Sequence, residues 1–271
     1  MDDTKLYLAI KSVRDGSKLQ SFITFFENLC TDYDLFLNLD KCKIMSFCRN
    51  KCPILFDYEI DGVSIKRVIC HMDLGVTFYN KLTFQPHINK VVTGSWKMLG
   101  FVTRPSRNLH TTKAMKSIYY SLVRSRLEYA SIVWSPIYDV YYNKIDKIQK
   151  KFLKFLSWRI DGVYPDPGSD YVNLCRKFRV LSLGDRRLCA SAMFVARLVQ
   201  GYIDCSRLRS LIMFKMPVLR RGPPFHLPIA NTNFATSAPT YRVMDAFNKL
   251  YNSNNNLDVW LIHNINAWRR L

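Results

Sequence analysis

The sequence predicts an α+β fold, with a small antiparallel sheet near the start and helices filling most of the remainder. Apolar residues alternate on both sides of Asp61-Gly62, from Ile54 to Ile60 and from Val63 to Ile69, as in a hairpin. From Ile88 onward they recur three and four residues apart, as on one face of a helix. Hydrophobic residues make up 48% of the 271 and aromatics 14%, enough to bury a core.

In chain order, Leu6 to Ile10 is a short apolar run that predicts a strand. Leu19, Phe22, Ile23, Phe26, Leu29 and Cys30 predict an amphipathic helix over about 17 to 33, with Ser17 as its N-cap. Cys42 to Cys48 reads as a further strand. Asp61-Gly62 suits a two-residue type I′ loop, whose residues both take positive φ. Leu74 to Phe78 predicts one more short strand.

The helical part begins with Ile88, Val91, Val92, Ser95 and Leu99 on one face, with Pro86 near the helix start, where proline is tolerated. Met115, Ile118, Tyr119, Leu122, Val123, Leu127 and Ala130 trace a second helix. Ile145, Ile148, Phe152, Phe155 and Leu156 trace a third, and a fourth runs from about Gly184 to Tyr202. Pro165, Pro167 and Gly168 mark a linker between those two. The stretch from Pro217 to Pro239 is dense in proline and predicts irregular structure. A last helix is predicted from Thr240 to Tyr251.

Charge narrows the class of partner. Forty Lys and Arg oppose 21 Asp and Glu, giving a formal +19 and a pI of about 9.7. Nucleic acid is the first polyanion to consider and an anionic membrane surface the second. No run of about 18 apolar residues is free of charge, so no spanning helix is predicted. Met1-Asp2-Asp3-Thr4 reads as neither a signal nor a transit peptide. The scattered cysteines are expected to be reduced thiols in a cytoplasmic or nuclear protein. Cys48, Cys52, Cys70 and His71 carry zinc-type donors, but adjacent Cys70 and His71 suit tetrahedral ligation poorly, and metal-free thiols are expected.

On the third helix Lys144, Lys147, Lys150, Lys151 and Lys154 fall mainly opposite Ile145, Ile148, Phe152 and Phe155. That division suits a helix lying on a phosphate backbone, and it also describes an ordinary solvated lysine face. Arg124 and Arg126 on the second helix, with Arg104 and Arg107 after the first, extend the track. Arg186, Arg187, Arg220 and Arg221 add charge without assigned contacts. Tyr119, Tyr120, Tyr129 and Trp134 fall mostly at core spacing, which makes packing rather than base stacking their expected use.

Several short strings occur in a telling order: Asp2-Asp3-Thr4-Lys5-Leu6-Tyr7, Leu37-Asn38-Leu39-Asp40-Lys41-Cys42-Lys43, Met72-Asp73-Leu74-Gly75-Val76, the segment Ser121 to Ala130 followed by Val133-Trp134-Ser135-Pro136, Ile148 to Leu153, and Leu183-Gly184-Asp185-Arg186-Arg187. Together they resemble the reverse transcriptases of non-LTR retrotransposons, in the jockey-like, LINE-type form. By that resemblance the first string is the catalytic aspartate pair at the end of the palm, the third belongs to the primer grip, and the fourth is the thumb helix with its following turn.

The resemblance implies an RNA-directed DNA polymerase, a nucleotidyltransferase that uses two Mg²⁺ ions. Asp2 would be the main metal ligand and Asp3 its neighbour, both catalytic. It also implies a third aspartate from an earlier strand, and neither that strand nor the fingers and most of the palm has a counterpart here. The expected organisation is a palm remnant with a primer-grip hairpin over 1–80, a helical thumb over 81–160 and a helical, partly irregular region over 161–271. An RNA–DNA or DNA duplex is the expected partner, together with the fingers and palm portion. No polymerase activity is expected from this chain by itself. The alternative reading is a non-catalytic nucleic-acid-binding protein or a decayed remnant without an enzymatic role.

Overall fold

A computed structural model describes residues 4–48, 53–104, 111–215, 222–253 and 259. The α+β prediction holds: two small antiparallel sheets precede a mostly helical remainder. The chain divides into two compact units, Met1–His87 and Ile88–Leu271, with the boundary in the first turns of a helix.

In the first unit, α1 spans Val13–Asp32 and starts ahead of the helix that apolar spacing predicts. Its N-cap is Ser12, not Ser17. The Ser12 hydroxyl accepts from the Asp15 amide, and the Asp15 carboxylate accepts from the Ser12 amide at 3.0 Å, forming a capping box. This reciprocal pair sets the helix start more firmly than the hydrophobic pattern does. The Ser12 hydroxyl first, then the Lys11 amide, holds the Asp15 carboxyl below its ordinary range. Gly16 is buried under Phe56, and a Cβ there would lie 2.6 Å from the ring. The Gln20 amide pairs with both backbone groups of Glu59, at 2.9 and 3.0 Å, and pins the helix to the first strand. Phe22, Phe25 and Leu29, by contrast, remain exposed.

Strands β1 (Glu59–Ile60) and β2 (Val63–Ser64) pair antiparallel. Asp61 at φ 52° and Gly62 at φ 67° make the primed turn that the Asp-Gly signal predicts. A second hairpin was not predicted as such: β3 (Cys70–Asp73) pairs antiparallel with β4 (Val76–Tyr79) around Leu74 at φ 45° and Gly75 at φ 78°. Leucine rarely takes positive φ, which hid this turn. Cys42 to Cys48 provides one bridge, Ile44 to Arg67, instead of a full strand. Residues 6 to 10 form no strand either, because no sheet edge among the described residues pairs with them. Lys5, just before this run, is held by charge instead, its Nζ 2.7 Å from Asp73.

The second unit holds most of α2 (Gln85–Thr103), with Pro86 in its first turn. Next come α3 (Thr112–Tyr119), a π-helical segment (Tyr120–Arg124), α4 (Ser125–Glu128) and α5 (Ser131–Trp134). From α3 through α4 the buried residues are Met115, Tyr119, Val123 and Leu127, spaced by four. On a regular α-helix that spacing drifts by about 40° at each step. The wider π turn absorbs the drift and keeps all four in the core.

Helix α6 (Asp139–Asp161) ends at Gly162, φ 73°. Its core face stacks Phe152 on Tyr119 with 3.9 Å between ring centroids. Gln149 is fully buried but satisfied, donating to the Tyr171 hydroxyl and to the Leu181 carbonyl, each at 2.9 Å. Tyr171 opens α7 (Tyr171–Phe178), a helix too short to show in the apolar periodicity.

Helix α8 (Leu183–Val199), capped by Ser182, packs on α11 (Pro239–Ser253) through Ala192, Val195, Ala196, Val243 and Phe247. Two short helices lie between them, α9 (Ser206–Arg209) and α10 (Asn233–Ser237). Of the stretch predicted to be irregular, residues 222–232 are so, whereas Asn233–Ser237 forms α10; the irregular part is nevertheless anchored. Phe225 is buried against Phe247, and the Asn248 amide bonds both backbone groups of Phe225. Arg242 donates to the carbonyls of Ile132 and Val133 at 2.9 and 3.0 Å, satisfying backbone acceptors in α5. Burial brings its pKa down to about 10.

Candidate nucleic-acid interface

Helix α6 is the element on which the predicted cationic track is built. At about 100° per residue, Lys144, Lys147 and Lys151 fall within an arc of about 60°. All three are exposed, while Ile145, Ile148 and Phe152 are buried against the core. The Lys144 ammonium lies 5.3 Å from the centre of the Tyr141 ring. Lys151 Nζ donates to the Tyr164 hydroxyl at 3.0 Å, and Lys150 is half-buried.

Lys154 departs from the expected outward face. It is 7% exposed, and its ammonium donates to the carbonyls of Asp166 at 2.6 Å and Pro167 at 3.2 Å. The cause is the linker after α6. It folds back over the helix end, and its carbonyls, outside any helix or sheet ladder, draw the ammonium in.

Arg124 also has an internal role. Its guanidinium stacks 3.5 Å over Tyr120, and its Nε lies 3.8 Å from the Glu128 carboxylate. Arg186 of α8 reaches the same carboxylate through Nε and, at 2.8 Å, through Nη2. One carboxylate thus gathers two guanidinium groups. Burial, then the neighbouring Arg186 charge, lowers the pKa of Arg124, and the bond that Arg186 donates to Glu128 raises that of Arg186. Arg126 is exposed and lies across Gly94 of α2. Arg104 is exposed too, while Arg107, Arg220 and Arg221 lie outside the described residues.

Arg187 is buried at 4% exposure. It lies 3.7 Å from Asp146 and over the Tyr142 ring at 4.6 Å. The phenol of Tyr142 occupies the space that a side chain at Gly184 would take. Burial pushes the Asp146 carboxyl up, and the Arg187 charge opposes that push. Arg186 and Arg187 therefore bind their own fold. Tyr119 and Trp134 are fully buried, so packing is their use, whereas Tyr129 is exposed.

A feature that the sequence reading missed lies beside Lys151. Trp96, Leu99, Gly100 and Thr103 of α2, Lys151, Phe155 and Trp158 of α6, and Tyr164 line a cleft of about 420 Å³. Trp158 follows Lys151 by two helical turns, so the shared face was readable on α6. The contribution of α2 was not.

Asp2 and Asp3 lie outside the described residues, as does Cys52. Among the described residues no group of three or more His, Cys, Asp or Glu side chains could hold a metal ion. No helix among them is long and apolar enough to cross a membrane.

Comparison with known proteins adds one relationship. Over 167 residues the chain is 27% identical to the RNA-directed DNA polymerase from the mobile element jockey of Drosophila melanogaster. The match covers 58% of this chain and 17% of that protein, so the chain corresponds to a minor part of its relative's length. No family model and no solved structure matches. The chain thus carries a region related to a reverse transcriptase of the jockey kind.

Proposed function

We propose that this chain is a duplex-binding portion of an RNA-directed DNA polymerase from a non-LTR retrotransposon, with α2 to α6 serving as its thumb. The observation that carries the reading is the exposed stripe of Lys144, Lys147 and Lys151 on α6, in a chain related to such a polymerase. Cations set along one helix face meet phosphates without reading bases, so the binding is tolerant of sequence. Arg126 and Arg104 add exposed charge on neighbouring segments. The hairpin of β3 and β4 would act as the primer grip, and Asp2 and Asp3 would be the residues that meet Mg²⁺, alongside ligands from another segment.

The test is equilibrium binding of the chain to blunt RNA–DNA and DNA duplexes of two unrelated sequences over a range of salt. Similar affinities for the two sequences, falling steeply with salt, are expected. Affinity that is insensitive to salt, or absent at low salt, would remove the proposal.

A further inference from the structure

We infer that the cleft between α2 and α6 receives an unpaired nucleobase from a nucleic-acid strand whose phosphates run along the lysine stripe. The inference rests on the duplex-binding reading and adds a single-strand subsite to it. Three observations support it. First, the wall is aromatic and open: Trp96 is 40% exposed and Tyr164 44%, with Trp158 and Phe155 beside them. The exposed Trp96 indole offers stacking that any base can use, while the Tyr164 ring carries the Lys151 ammonium 5.2 Å from its centre and so sets a cation beside that surface. The volume, about 420 Å³, lies in the range of small-ligand sites.

Second, the lining contains one charged side chain, Lys151, and no carboxylate. A cleft with aromatic walls and an ammonium at its edge is complementary to a flat base attached to a phosphate. Lys154 and Arg159 reinforce this polarity, the first 6.0 Å from the Tyr164 ring centre and the second 5.9 Å from that of Trp158.

Third, the cleft is continuous with the stripe. Phe155 does not lie opposite the lysines as its spacing with Phe152 suggests: at about 100° per residue it falls with Trp158 on nearly the same arc of α6 as Lys144, Lys147 and Lys151, so the helix presents cations and then aromatics along one line. From Lys144 to Trp158 that line runs about 21 Å at 1.5 Å per residue. A strand following the lysines would arrive at the cleft with its next base facing Trp158.

The test compares Trp96→Ala with the unaltered chain on three probes: a single-stranded oligonucleotide, a blunt duplex of equal length and a nucleoside monophosphate. The variant is expected to lose about tenfold in affinity for the single strand, with an unchanged salt slope because stacking releases no counterions. Its duplex affinity should stay within about twofold, and Trp96→Phe should restore most of the loss. Tyr164→Ala provides an independent variant, and a melting curve shows that each folds. Unchanged single-strand affinity in both variants, or an equal loss on duplex, would overturn the inference while leaving the duplex-binding proposal intact. A monophosphate binding as tightly as the oligonucleotide would also overturn it, because a strand would then be unnecessary. Failure of the unaltered chain to bind any probe would overturn the inference and the duplex-binding proposal together.

Discussion

The lysines of α6 were alike in sequence but are unlike in structure, and that difference can be measured. Consider the triple variant Lys144→Gln, Lys147→Gln, Lys151→Gln beside the single variant Lys154→Gln. Each phosphate neutralised on a duplex contributes about 0.9 to the slope of log affinity against log salt. Three exposed lysines therefore account for about 2.7 of slope. Over a fourfold rise in salt the unaltered chain should lose about 40-fold more affinity than the triple variant. Lys154 should behave in the opposite way. Its ammonium satisfies the carbonyls of Asp166 and Pro167 from a position that is 7% exposed. Losing a charged donor of this kind costs about 2 kcal/mol. For a chain of this size that lowers the melting temperature by roughly 4 to 8 °C, with the salt slope intact. Fluorescence anisotropy at several salt concentrations measures the slope, and thermal unfolding measures the stability. If the triple variant kept the parent slope, or if Lys154→Gln reduced the slope without lowering the melting temperature, the division of labour on α6 would be wrong.

Other perturbations test the remaining interactions. Arg187→Met should destabilise the fold by about 3 kcal/mol because it leaves the Asp146 carboxylate in a half-buried site without its counter-charge, and the double variant with Asp146→Leu should recover most of that loss; chemical denaturation of the four proteins completes the cycle. Gly16→Ala should cost about 1 to 3 kcal/mol by driving a methyl group into Phe56, and adding Phe56→Ala should relieve the clash as a positive coupling energy. The Asp15 carboxyl titrates below its unfolded value, so its capping contribution is complete above that value and is lost as pH falls through the folded pKa. Acid melts followed by circular dichroism should thus be shallower for Asp15→Asn than for the parent, and identical acid limbs would contradict the cap.

The sequence made local features legible wherever one short-range signal decided the outcome. Asp61-Gly62 is such a case, because both residues tolerate positive φ and the flanking runs alternate. So is α6, whose apolar spacing and the proline- and glycine-marked linker after it agree with one another, although its Gly162 C-cap emerged only in the structure. The turn at Leu74-Gly75 was hidden for a local reason, a leucine standing where a primed loop favours asparagine or glycine, although β3 and β4 pair directly across it. Features set by a partner distant in sequence were not legible. Arg124, Arg186 and Arg187 were simply positive charges until Glu128 and Asp146 were found beside them. The cleft was half readable for the same reason: α6 supplies Lys151, Phe155 and Trp158 at helical spacing, but Trp96 lies more than fifty residues earlier.

These internal pairings bear on function through subtraction. A formal +19 suggests a surface uniformly hungry for anions. Yet Arg124 and Arg186 share Glu128, Arg187 faces Asp146, Arg242 serves the carbonyls of α5, and Lys154 is held by the linker. The cations on α6 that remain exposed are not scattered evenly over what is left. Lys144, Lys147 and Lys151 line up on one face, and that face leads into an aromatic cleft. A solvated lysine face adopted only for solubility would have no reason to end there. A path for a polynucleotide strand would, because phosphates need cations at a repeating interval and a base at the end of the path needs a flat surface to stack on.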